Sequence, residues 1–403
     1  MLYRDKDCIC EACESVWLAL EVKNVDYVTV LVDKSNASGG DDDDEQIMLP
    51  RISWPSTADD DDDSNKNNHD TTTTTTDPVK LLEQIQSRYP DTAPQFYPPL
   101  SSAVDASRCN IMRLPGVMPR NSDTNLMSYA PYLFRDDGTL VKPSSHAVSL
   151  EEVEEMQEEY YLGDFLCGKA ITAADIIWAP YLERYAVQLP IVYRNKARLN
   201  PRNRNVYGEV DNWYKVMERE VPAYSCRVMG DAKHWRKCLE VATKIHNERA
   251  VEDDERVSLP NVPADQSGWW VKKKNSVAKA GEIWSEYCSQ RPWLAPTPGG
   301  EVSLFMIRNR EMIVDAAVAA ASLGDCFDDE NTADEALREV IQVLLEWDVY
   351  FDQSSEEETA QPLSESGLRM ALFAAEEMIQ VPRDLGMIPV GVLWEVIRSC
   401  DEC

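Results

Sequence analysis

No apolar run in this chain approaches the roughly 18 residues needed to span a bilayer. Its longest run of small residues, Ala316 to Gly324, is bounded by Asp315 and Asp325, so a membrane-spanning helix is not expected. Positive charge is also short: 40 Lys and Arg face 71 Asp and Glu, for a net charge of −31 and a pI near 4.5. Nucleic acids and anionic membranes both need a basic face to displace counterions, so neither is an expected partner. Histidine is scarce, and the four present (His69, His146, His234, His246) lack the spacing of a catalytic or metal pair. The opening residues lack the apolar core of a signal peptide, because Arg4, Asp5, Lys6 and Asp7 occupy its place. A strand starting at residue 1 leaves no room for an organelle transit segment unless one was trimmed away.

Cysteine is what the chain does have. Eleven of them, an odd number scattered over 403 residues, read as reduced thiols in a cytoplasmic compartment rather than as a disulfide framework. Two lie in a Cys-x-x-Cys pair, Cys10-Glu11-Ala12-Cys13, between a predicted strand (Met1-Leu2-Tyr3) and a predicted helix running through Val16 to Val22. Cys10 is therefore expected at a helix N-terminus, where free backbone N–H groups and the helix dipole favour a thiolate. Packing as a small buried apolar residue is the structural alternative for either cysteine. Asp7 and Glu14 add negative charge that opposes the thiolate. Ser15 lies too deep in the helix to act as a nucleophile, and Tyr3 reads as a packing residue.

Further along, Tyr27 to Val32 reads as a buried β-branched strand, and Gln46 to Trp54, containing Leu49-Pro50, as another. Acidic low-complexity inserts at about 37–47 and 56–77 cannot bury enough apolar surface to offset their ordering entropy. Thr71 to Thr76 is suited to a short edge strand. Leu81, Leu82, Ile85 and Tyr89 mark one face of a helix ending at Pro90, a proline-containing linker covers Pro94 to Pro119, and charged helical sequence resumes at Leu150-Glu151-Glu152-Val153. Thr172-Ala173-Ala174-Asp175 is a capping-box pattern, with Ile171 and Ile176 placed as a hydrophobic staple.

Taken together, these residues resemble the glutathione transferase superfamily. The resemblance is carried by Gly168 to Ile176, by Ala179-Pro180-Tyr181-Leu182-Glu183-Arg184, and by Trp213 to Met217 followed by Val221-Pro222-Ala223-Tyr224. A cysteine opening the first helix is similar to the omega-like and glutaredoxin-like members, which carry out thiol transfer. The resemblance implies an α/β thioredoxin-like N-terminal domain (1–100), an all-α glutathione transferase C-terminal domain (101–250) and an additional α-helical extension (251–403). It also implies roles for individual residues. Cys10 is the thiol that forms a mixed disulfide with glutathione, and Cys13 a second thiol able to resolve it. Pro50, preceded by Leu49, is a cis-proline beside the cysteinyl part of glutathione, and Asp77 stands where the γ-glutamyl group is held. Asp77-Pro78 replaces the usual Glu-Ser or Gln-Ser pair. Thr172 and Asp175 are structural, as an N-capping box. The implied co-substrate is glutathione, acting on a small electrophile or disulfide, with no metal and with a homodimer as the expected assembly. A non-catalytic interaction scaffold is the alternative.

The extension reads as helices over Met306 to Ser322, Thr332 to Tyr350 (opened by a capping box, Thr332 to Glu335) and Leu368 to Ile379. Pro260 to Pro263 and Gln266-Ser267-Gly268 read as a linker, followed by Trp269-Trp270 and a cationic patch, Lys272 to Lys274. A second pair, Cys400-Asp401-Glu402-Cys403, reads as a solvated tail with incidental cysteines, the alternative being a four-cysteine zinc site shared with Cys10 and Cys13.

Overall fold

A computed structural model describes residues 1–8, 10–33, 49–54, 71–72, 75–97, 164–166, 168–192, 202–249, 276–321, 327, 329–351 and 362–401. The acidic inserts, the linkers, the helical reading at Leu150 to Val153 and Cys403 lie outside them, apart from Thr71, Thr72 and 75–77 at the edge of the second insert and 94–97 at the start of the first linker. The chain divides into two compact units, Met1–Val221 with Trp235–Ala264, and Pro222–His234 with Asp265–Cys403.

The first unit opens with β1 (Leu2–Asp5), α1 (Glu11–Val22), β2 (Thr29–Val32), β3 (Arg51–Trp54), β4 (Thr71–Thr72) and α2 (Pro78–Arg88). The strands form one mixed sheet in the order β2-β1-β3-β4. Strand β2 runs parallel to β1, joined to it through α1 as a βαβ unit, whereas β3 is antiparallel to β1, and β4 antiparallel to β3. Thr71–Thr72 is thus the edge strand that the threonine run suggested. The expectation for Tyr27 to Val32 needs correcting. Among the described strands β2 is an edge strand with partly exposed residues; Leu31 is 45% and the preceding Val28 65% exposed. A β-branched run reports strand preference, but the sheet order decides whether both faces are covered.

Helix α1 is buried over most of its circumference, from Cys13 to Glu21, as expected for a helix with apolar residues on nearly every side. Helix α2 buries Leu81, Leu82 and Ile85 along one stripe. The remaining helices of this unit are α3 (Ala173–Val192), α4 (Gly208–Glu220) and, from Trp235 onward, α5 (Ala232–Arg249). Helix α3 packs against both α1 and α2. A small mixed sheet followed by helices agrees in outline with the expected α/β-then-helical order.

Six helices of the second unit lie among the described residues: α6 (Ser276–Cys288), α7 (Pro298–Arg308), α8 (Arg310–Ala321), α9 (Glu330–Phe351), α10 (Glu365–Phe373) and α11 (Met387–Asp401). The helix expected over Met306 to Ser322 is two helices meeting at Asn309, whose side-chain amide donates to the Phe305 carbonyl at 2.8 Å. Helix α9 starts three residues earlier than its capping-box pattern predicts. Asp329 is the capping residue, accepting from the N–H groups of Asn331 at 2.8 Å and Thr332 at 3.0 Å. The helix over Leu368 to Ile379 begins instead at Glu365, under a Ser364 cap, and ends in a π-helical turn, Ala374–Met378. Helix α11 packs on a second π-helical turn, Tyr224–Val228. Gly386, just before α11, allows that approach, since a Cβ there would lie 1.7 Å from the Cys226 carbonyl oxygen. Among the described residues, no helix is long and apolar enough to cross a membrane.

Candidate functional site

The end of β1 and the start of α1 are tied together by one buried carboxylate. Asp5 accepts the Asp7 N–H at Oδ1 (3.1 Å) and the Cys10 N–H at Oδ2 (3.2 Å), while its backbone carbonyl accepts from the Cys8 N–H at 3.3 Å. Cys10 is thereby held as the N-cap of α1, with extended backbone (φ −76°, ψ 110°), and its carbonyl accepts the Glu14 N–H at 3.1 Å. Its Sγ accepts the Cys13 N–H at 3.4 Å, in the position that a serine or aspartate oxygen takes in an ordinary cap. The sulfur is aimed at the free donors of a helix start, which is the electrostatic setting of a reactive thiol. Access is narrow, since Cys10 is 5% and Cys13 3% exposed. Tyr3 lies beneath the Arg51 guanidinium, and the Ser15 hydroxyl donates to the Glu11 carbonyl at 3.1 Å, so each has a structural occupation.

The Leu49–Pro50 peptide bond is cis and leads into β3. Tyr3 pairs with Arg51 and Leu2 with Ile52. Continuing that register sets Pro50 level with Arg4 and Leu49 level with Asp5, the residue that anchors Cys10. The sheet therefore brings Leu49, Pro50 and the cysteine turn to one end of β1. Asp77 is the N-cap of α2, its Oδ1 accepting the Val79 N–H at 3.0 Å, with Pro78 in the first helical turn.

Below the cysteine turn sits a buried charge cluster. Arg184, on α3, pairs with Glu14 at 2.9 Å, donates to the Pro180 carbonyl at 2.5 Å and stacks over Trp235 at 4.0 Å. Burial pushes the Glu14 carboxyl up to about 7, with Arg184 and a hydrogen bond to Glu183 pulling against it. Glu218 is likewise pushed up to about 7 by burial, against the pull of Arg202. Burial also raises two thiols, Cys8 to about 11, opposed by Arg4, and Cys238 to about 12, opposed by Arg184.

The two raised glutamates give a signed prediction. Each binds its proton more tightly in the folded chain (about 7) than at the ordinary value of 4.5, so the folded state holds more protons across that interval. Their contribution to stability is then largest near the bottom of the interval, falls as pH rises through it and levels off above it. Urea unfolding midpoints across this window should decline with pH, and Glu14→Gln should flatten the decline. A wild-type slope left unchanged by that substitution would contradict the assignment of Glu14.

Thr172 and Asp175 meet as the sequence pattern suggests, although the acid has wider reach. Asp175 Oδ2 accepts both the Thr172 N–H (2.8 Å) and the Thr172 hydroxyl (2.9 Å), so the hydroxyl donates to the acid. Oδ1 accepts the Leu166 N–H at 2.8 Å and the Trp213 indole N–H at 3.0 Å. Burial raises the Asp175 pKa and these four donors oppose the rise. Ile171 and Ile176 are both buried at this helix start.

The sequence pattern gives no site role to Arg4, Cys8 or Cys238 and marks Glu14 only as a negative charge that opposes the thiolate. The one local signal was Cys8 standing two residues before Cys10, because Arg4, Arg184 and Cys238 join the cluster through tertiary packing. No family model and no curated protein matches the chain. Among solved structures it is similar to the crystal structure of glutathione transferase Omega 1C from Trametes versicolor, with 18% identity over 62% of this chain and 94% of that chain, at a TM-score of 0.34.

Proposed function

We propose that the chain is a glutathione-dependent thiol transferase or reductase, with conjugation of glutathione to an electrophile as the neighbouring version of the same chemistry. The observation that carries this reading is Cys10 Sγ at the N-cap of α1, accepting the Cys13 N–H at the end of β1 where the cis Leu49–Pro50 bond enters the sheet. In this reading Cys10 attacks one sulfur of a disulfide, forming a new S–S bond and expelling the other sulfur as a thiolate, and glutathione or a second protein thiol then releases Cys10. The backbone at Leu49 and Pro50 would pair with the cysteinyl portion of glutathione, and the Asp77 Oδ2 would face its γ-glutamyl ammonium. The domain plan implied by the resemblance, a cytoplasmic location and a homodimer belong to the same proposal.

Narrow access to Cys10 favours the second reading, a transferase-like interaction scaffold without turnover. Intact mass after exposure to oxidised glutathione, followed by peptide mapping, separates the two. The enzymatic reading expects fast, selective modification of the Cys10 turn. Slow labelling spread over many cysteines, or none, would leave the scaffold.

A further inference from the structure

Arg4 is a cation placed where cations are costly. Its side chain projects from β1 into the interior at 2% exposure, stacked over Trp17 at 4.0 Å. Among the described residues no carboxylate forms an ion pair with it, and its Nε has no hydrogen-bond partner. A buried charge needs a compensating partner. Among the described residues its polar contact is from Nη1 to the Cys8 sulfur, at 2.6 Å. Cys8 itself occupies left-handed backbone, φ 54°, a conformation that costs an L-residue about 1–2 kcal/mol and that glycine takes freely. A non-glycine residue held there, under a buried cation that reaches its sulfur, is a site with a use for that sulfur.

We propose that Cys8 is the resolving thiol of this site, closing a disulfide with Cys10, and that Arg4 is the positioning residue that holds its thiolate. The inference rests on the reading of Cys10 as the thiol that meets glutathione. Residues two apart cannot separate by more than about 7 Å between Cα atoms, close to the roughly 4.4–6.8 Å span of a disulfide. Cys8 and Cys10 are both tethered by their N–H groups to Asp5, at 3.3 and 3.2 Å. Cys8, Cys10 and Cys13 are all outside any disulfide. The high pKa of the Cys8 thiol separates the roles, since a thiol pushed up to about 11 by burial, with Glu14 and Asp5 adding to the rise, is a poor first nucleophile at neutral pH, and Arg4 helps only once negative charge forms on its sulfur.

The chemistry balances with glutathione disulfide as oxidant. Cys10 thiolate attacks one of its sulfurs, the Cys10–glutathione bond forms and the first glutathione leaves as thiolate. Cys8 then loses its proton to water and attacks Cys10 Sγ, forming the Cys8–Cys10 bond and releasing the second glutathione, which takes a proton from water. Two protein thiols become one disulfide, and one glutathione disulfide becomes two glutathione thiols.

The test is a time course of intact mass and peptide mapping on the full chain with oxidised glutathione, for wild type and the variants Cys8→Ser, Cys8→Gly and Cys13→Ser. Glycine suits the left-handed backbone, so Cys8→Gly removes the thiol without backbone strain, while Cys8→Ser keeps an oxygen acceptor for Arg4. Wild type and Cys13→Ser should pass through a glutathione adduct to a Cys8–Cys10 disulfide, while both Cys8 variants accumulate the adduct on Cys10. Arg4→Gln should slow the second step by about 10- to 100-fold near neutral pH and recover as pH rises toward ionisation of Cys8, a profile that a merely structural residue would not produce. An adduct that persists in wild type, or that is trapped in Cys13→Ser and not in Cys8→Gly, overturns Cys8 and leaves Cys10 standing. No adduct on Cys10 in any variant overturns both.

Discussion

Cys10→Ser is expected to lower glutathione-driven reduction of a small aliphatic disulfide by at least about a thousandfold in kcat/KM, the scale seen when a covalent nucleophile is removed. The substitution is conservative where the fold is concerned. A serine oxygen accepts the Cys13 N–H as readily as the sulfur does at 3.4 Å, because serine is among the preferred N-cap residues. The helix start, the Asp5 tether and the burial of α1 should all survive, and an unchanged thermal transition would demonstrate it. What serine cannot do is ionise near neutral pH, attack a disulfide sulfur and leave again. Steady-state rates with glutathione as reductant, read alongside the melting curve, decide the matter. Full retention of activity in a folded Cys10→Ser protein would remove this residue as the nucleophile and move attention to the scaffold reading.

Asp175→Ala is expected to cost about 3–5 kcal/mol, the range found when one member of a buried charged network is removed. Four donors converge on this carboxylate: the backbone N–H groups of Leu166 and Thr172, the Thr172 hydroxyl and the Trp213 indole. Alanine leaves all four without an acceptor in a site with no exposed surface. Asp175→Asn, which keeps one acceptor oxygen and swaps the other for a donor facing Thr172, should lose less. In the thermal transition of the first unit, alanine should lower the midpoint by about 6 °C or more. A shift under about 2 °C would mean that water or a rearranged backbone satisfies those donors, and Asp175 would not be what holds Leu166, Thr172 and Trp213 together.

The contrast between these two residues shows what could be read in advance. The Cys10 cap, the Asp77-Pro78 start of α2 and the meeting of Thr172 with Asp175 each complete within three residues of chain. Backbone stereochemistry alone brings such partners together, and residue pattern reports it directly. The same locality explains the partial misses. In α9 the pattern at Thr332 was real, but Asp329 stood nearer to the true start and its carboxylate took the donors. The run around Met306 to Ser322 has apolar spacing throughout, and spacing does not register the break at Asn309.

From the sequence by itself come the acidic surface, the lack of a spanning apolar run and the placement of one cysteine at a helix start, because each is a property of composition or of a few consecutive residues. The edge position of β2, the grouping of Pro222–His234 with Asp265–Cys403, and the second pair of donors on Asp175 depend on which distant segments pack together. So does the state of the charges. Glu14 looks like an exposed acid at a helix start until α3 brings Arg184 and Glu183 against it and burial pushes it up to about 7. Arg4 looks like a surface cation until the sheet and α1 enclose it and its nearest partner becomes the sulfur of Cys8. Burial sets the energy of an ionised group, and only the tertiary structure decides burial.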